Sequence, residues 1–122
     1  MAMPDPPQRA IYVRRVLDQY RQLPGTLGQV RRTDRRLAEQ LHGRGVPLSL
    51  VEAAFALATC RRLLRSPDAE PLEPVRTMHY FLAVIEELRE QPLDPDYLRY
   101  LQSKLATLAL GPLPRQRIEP LR

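Results

Sequence analysis

Residues 51–60 read VEAAFALATC, and a helix drawn through them is apolar on almost every side. Val51, Ala53, Ala54, Phe55, Ala56, Leu57 and Ala58 leave no face suited to water for two turns. A helix of that kind sits at the centre of a fold, where neighbours cover it all round. The rest of the chain must supply those neighbours, and its patterning is helical.

Five helical segments follow from apolar spacing at about 100° per residue, and no segment alternates as a strand does. The first is expected over Gln8 to Leu23, with Tyr12, Val13, Val16, Tyr20 and Leu23 inward and Arg14, Asp18, Arg21 and Gln22 outward. LPGTLG ends it. The second is expected from Thr33, a suitable N-cap, with Asp34 favoured by the positive end of the helix dipole. Its inner face is Leu37, Ala38 and Leu41, and Gly43 and Gly45 stop it. The third is expected from Ser49, which stands at capping-box spacing from Glu52, to about Leu64. SPDAEPLEP is a loop on its prolines.

The fourth helix is expected over Val75 to Gln91. Met78, Phe81, Leu82, Ile85 and Leu88 point inward, and His79, Glu86, Glu87 and Glu90 point outward. The fifth follows Asp94 as N-cap and Pro95 at the first helical position, with Tyr97, Leu98, Leu101, Leu105 and Leu108 as its stripe. The expectation is a compact, all-α, single-domain bundle of about five helices over residues 8–110. Residues 1–7 and 111–122 are expected to be flexible ends.

At 122 residues the chain is one domain by length and long enough for a real core. Its single cysteine, Cys60, permits no internal disulfide and suits a reducing cytoplasm. No run approaches the length of a membrane span, and MAMPDPPQ lacks the apolar core of a signal peptide. A soluble, cytoplasmic protein without a membrane partner is expected.

Catalytic chemistry finds little support. The two histidines, His42 and His79, are in no metal-binding spacing, and there is no C-x-x-C, P-loop, G-x-S-x-G or G-x-G-x-x-G. Cys60 lies in the apolar helix, where a thiol is inert. His79 is expected on the surface beside Glu86 and Glu90. The chain reads as a non-enzyme with no cofactor, no metal and no small-molecule substrate.

Charge is more informative. Residues 1–66 hold twelve arginines against five acids, a net of +7, while residues 67–97 hold two arginines against eight acids, a net of −6. The last 25 residues return a net of +4, which gives the overall +5. Lys104 is the only lysine beside eighteen arginines, a ratio that GC-rich codon usage alone produces. The position of the arginines therefore carries more weight than their number. Arg31 with Arg35, and Arg32 with Arg36, form i,i+4 pairs opposite Leu37 and Leu41. Each such like-charge pair costs a few tenths of a kcal/mol in an isolated helix. Arg14, Arg15 and Arg21 add charge on the first helix, and Arg61, Arg62 and Arg65 on the third. If these faces converge they form a site for nucleic acid, DNA in the first instance. Glu86, Glu87 and Glu90 on the acidic helix would face a protein partner or another subunit. The alternative is an interaction module, or a subunit of a larger assembly, with no nucleic-acid affinity.

LAEQLHGRGVPLSLVEAAF loosely resembles a DNA-reading helix-turn-helix through Ala38, Gly45-Val46 and Val51. Ala38 to Gly45 is several residues longer than that motif expects, and the second helix opens with few base-reading groups. A packed helical hairpin with GRGVP as its turn fits better. A second resemblance, over about Asp34 to Leu105, is to the C-terminal helical domain of DnaD-like replication proteins, whose late Y-x-x-x-I-x-x-x-W pattern is matched by Tyr80, Val84 and Leu88. Valine replaces the isoleucine, and the tryptophan is absent. That resemblance implies DNA binding, self-association and a role in replication or mobile-element maintenance.

Overall fold

The computed structural model describes residues 5–65 and 68–110. Five α-helices follow in order: α1 Asp5–Gln22, α2 Arg32–Gly43, α3 Leu48–Leu63, α4 Leu82–Glu90 and α5 Pro95–Leu110. A 3-10 turn over Met78–Phe81 runs directly into α4. No strand forms among the described residues. One isolated parallel bridge joins Thr26 to Val75. The architecture is all-α, as the patterning requires, and the expected 111–122 tail lies outside the described residues.

The apolar third helix takes the central place. Val51 and every residue from Ala53 to Cys60 are buried. α3 packs against α1, the 3-10 turn, α4 and α5, while α2 packs against α1 and the 3-10 turn. The α1–α2 pair and the α4–α5 elements are therefore organised around α3. Tyr20, Phe55 and Phe81 meet at the middle, with ring centroids 5.0–6.5 Å apart, and fasten α1, α3 and the 3-10 turn together. Tilted and edge-on contacts of this kind add to the area that the rings bury.

Several boundaries differ from the expected ones, each for a local reason. α1 starts at Asp5 and not Gln8, because Pro6 and Pro7 fall in a first turn whose N–H groups have no intrahelical partner. Pro47, not Ser49, is the N-cap of α3. The expected Ser49–Glu52 capping box is absent because Glu52 accepts from Gln19 Nε2 at 2.6 Å and lies 3.6 Å from the Arg15 guanidinium. The fourth helix does not begin at Val75, since that residue's N–H and C=O are taken by Gly25 O and Leu27 N. Tyr97, expected inward, is 47% exposed and stacks on Tyr100 across the outer face of α5. His79 meets Thr77, with Nδ1 3.1 Å from Oγ1, because the 3-10 turn rotates it away from the α-helical position that would bring it to Glu86. Asp94 caps α5 as expected, its carboxylate accepting from Asp96 N at 2.7 Å.

The α2–α3 connection is a turn without a hairpin. Both helices share neighbours but do not pack along each other. Val46 N donates to Leu41 O and Gly45 N to His42 O, each at 3.0 Å, with Gly45 at φ +77°. This pair of bonds around a left-handed residue is a Schellman ending. It turns Val46 into the core, where the buried Tyr12 hydroxyl donates to Val46 O at 2.8 Å. Burial pushes the Tyr12 phenol up to about 12. Gly45 is thus the helix stop, while Gly43 lies inside α2. Replacing Gly45 with Ala should cost about 1 kcal/mol through the left-handed backbone. Gly43→Ala should be neutral or stabilising by up to about 1 kcal/mol, since helix propensity rises and the added Cβ meets nothing within 4 Å. Urea unfolding of the two variants checks this, and equal losses would contradict it.

Candidate nucleic-acid interface

The site begins with the way α2 starts. Asp34 occupies the third helical position and is fully buried, at 0% exposure. Its Oδ2 accepts from Arg31 N at 2.9 Å, closing the first turn of α2 from the carboxylate side. Its Oδ1 accepts from Met78 N at 2.8 Å and from the Thr77 hydroxyl at 3.1 Å. Thr33, the expected cap, is bypassed because a carboxylate three residues in reaches the free N–H of Arg31. One side chain therefore starts α2 and holds the 3-10 turn against it. Tyr20 lies close enough that burial first, and then the Asp34 charge, raise its phenol, with Arg31 opposing.

With Asp34 pointing inward, its four neighbours Arg31, Arg32, Arg35 and Arg36 are all left exposed. α1 lies alongside and presents Ala10, Arg14, Leu17, Asp18 and Arg21 at helical spacing. A groove of about 640 Å³ runs between the two, lined by those residues together with Val30, Arg31, Arg32 and Arg35. Its one acid, Asp18, is bound to Arg21 at 2.5 Å. Arg14, Arg31, Arg32 and Arg35 have no ion-pair partner among the described residues, nor does Arg36 on the adjoining outer face of α2.

The other sequence candidates lie elsewhere. Arg15 faces Glu52 of α3. Arg61 holds Glu87 with two bonds of 2.8 and 3.1 Å. Arg62 donates to Glu73 O at 2.9 Å and to the Tyr80 hydroxyl at 3.3 Å, and lies over the Tyr80 ring. Arg65 donates to Glu70 O at 2.8 Å. Arg61, Arg62 and Arg65 thus secure the loop and α4, and they do not join the α1–α2 groove. Glu86 likewise accepts from Arg44 at 2.8 Å and lies 3.5 Å from Arg89, so two of the three acids expected to face a partner are paired within the chain. Hydrogen bonds from Arg44 and Arg61 hold the Glu86 and Glu87 carboxyls below the ordinary range. Glu90 remains exposed.

No metal-binding group of three or more His, Cys, Asp or Glu occurs among the described residues. Cys60 is buried in α3 with its thiol directed at Leu101 O, and burial raises its pKa. Among the described residues no helix is long and apolar enough to cross a membrane. The middle of α3 is buried against its neighbours, so it cannot lie in a DNA groove as the second helix of a helix-turn-helix would. Tyr80 falls in the 3-10 turn while Val84 and Leu88 lie in α4, so the Y-x-x-x-I-x-x-x-W spacing does not run along one continuous α-helix. Comparison with protein-family models, with curated proteins and with solved structures finds no match to this chain.

Sequence reasoning missed Asp34 as the anchor. The signal available was a lone acid set inside RRTDRR at the third position of a helix. Asp34→Ala removes the acceptor for two backbone N–H groups and a hydroxyl. An unsatisfied buried donor costs about 1–3 kcal/mol, so the loss should exceed about 3 kcal/mol. Asp34→Asn keeps one carbonyl acceptor and should lose about half as much. Chemical denaturation measures both, and a loss below about 1 kcal/mol for the alanine variant would contradict the anchoring role.

Proposed function

We propose that this protein is a non-catalytic nucleic-acid-binding protein, with DNA as its first ligand, and that it binds through the α1–α2 groove. One observation carries the reading. Among the described residues, Arg44, Arg61, Arg62 and Arg65 are engaged by internal acids, carbonyls and a hydroxyl, while a contiguous set on α1 and α2 has no ion-pair partner. Arg14, Arg31, Arg32 and Arg35 line one groove, with Arg36 beside it. Holding like charges together without counter-ions is unfavourable, and a polyanion relieves it while releasing its own condensed cations. Arg61, Arg62 and Arg65 are not part of this interface. An accessory role in replication or mobile-element maintenance rests on the DnaD-like resemblance alone.

Binding should weaken steeply with salt. Four neutralised phosphates give a slope of log K against log salt of about −3 to −4, or about 100-fold between 50 and 200 mM. Arg14→Ala, Arg32→Ala and Arg35→Ala should each lower the slope by about 1. Arg61→Ala should leave affinity and slope unchanged, since Glu87 already occupies that guanidinium. Fluorescence anisotropy with labelled DNA at several salt concentrations reads all four. Absence of binding at low salt would overturn the proposal and favour the interaction module.

A further inference from the structure

The groove's lining says which form of nucleic acid it suits. Two ways of holding a strand leave different marks. Single strands without sequence preference are held by aromatic rings on which bases stack, beside a basic track for the backbone. A duplex hides its base faces and offers phosphates at higher density, one charge per about 1.7 Å of axis. The groove has no aromatic lining residue: between its arginines lie only Ala10, Leu17, Asp18 and Val30. The exposed tyrosines are elsewhere. Tyr80 lies under Arg62, and Tyr97 and Tyr100 stack on α5, which packs on α3. No Asn, Gln, Ser or Thr lines the groove either. The cleft is concave and receives a ridge. Base reading needs an element that projects into a DNA groove.

The placement of charge fits such a ridge. Arg14 stands on the α1 wall and Arg31, Arg32 and Arg35 on the α2 wall, so guanidiniums without an ion-pair partner face a strand from both sides. We propose that the α1–α2 groove clamps one sugar–phosphate strand of a double helix and is indifferent to base sequence. This rests on the nucleic-acid reading above and narrows its ligand.

The test is anisotropy at about 50 mM salt, where phosphate contacts count most. The probes are two duplex DNAs of unrelated sequence, a duplex RNA, and an oligothymidylate of equal length. They are read with the wild-type protein and with a Tyr97→Ala/Tyr100→Ala variant. The expected result is binding to both DNA duplexes within about twofold of each other, at least about tenfold tighter than to the oligothymidylate, and unchanged in the tyrosine variant. Duplex RNA bound equally well identifies the phosphate ridge as the shared ligand and supports the clamp; duplex RNA bound alone overturns DNA as first ligand and keeps the clamp. Tighter binding of the single strand, lost with the tyrosines, overturns the duplex clamp and moves the site to α5 while keeping nucleic acid as ligand. A preference above about tenfold between the two DNA duplexes overturns sequence indifference. Failure of every probe to bind overturns the nucleic-acid reading itself.

Discussion

The carboxylate of Asp34 sets the beginning of α2 and the approach of the chain to α4 at once. It accepts from Arg31 N, and from Met78 N and the Thr77 hydroxyl more than 40 positions further along the chain. A fully buried acid is tolerable only when its lone pairs are satisfied, and here three donors converge on it. Because the acid is used inward, the flanking arginines are left without it as a surface partner. The same side chain therefore fixes a piece of the core and leaves the positive charge on its own helix uncompensated at the surface.

The division of the arginines follows from where α3 lies. Its apolar body has to be covered, and the elements that cover its far side carry the acidic segment 67–97. Arg44, Arg61, Arg62 and Arg65 stand next to that segment and bind its carboxylates and carbonyls. The α1–α2 groove lies apart from those pairs, and the only acid that lines it is held by Arg21. Exposed ion pairs of this type add little stability, about 0–1 kcal/mol, yet they decide which guanidiniums remain open to a ligand.

Helical periodicity was enough to recover the all-α class, the five helices and most of the core. The central place of α3 followed from having no polar face, and the outward strip of Arg31, Arg32, Arg35 and Arg36 followed from its phase against Leu37 and Leu41. What local pattern could not supply was tertiary competition for the same groups. Ser49 and Glu52 have capping-box spacing, but Gln19 and Arg15 claim the glutamate. Val75 extends the periodicity of the fourth helix, but a bridge to Thr26 holds it extended. Glu86 and Glu87 read as a free acidic face until Arg44 and Arg61, from distant parts of the chain, reach them. The convergence of Arg14 with Arg31, Arg32 and Arg35 needed the α1–α2 packing, which no spacing rule contains.

The α1–α2 groove gathers Arg14, Arg31, Arg32 and Arg35 without an ion-pair partner among the described residues, and a polyanion should bind there first. Titrating an isotopically labelled sample with a DNA duplex, and following backbone amide shifts by nuclear magnetic resonance, tests this residue by residue. The shifts should centre on Arg14, Arg21 and residues 30–36, with α3 beyond Arg61 and α5 unmoved. A pattern centred on Arg61, Arg62, Tyr97 and Tyr100 would contradict it.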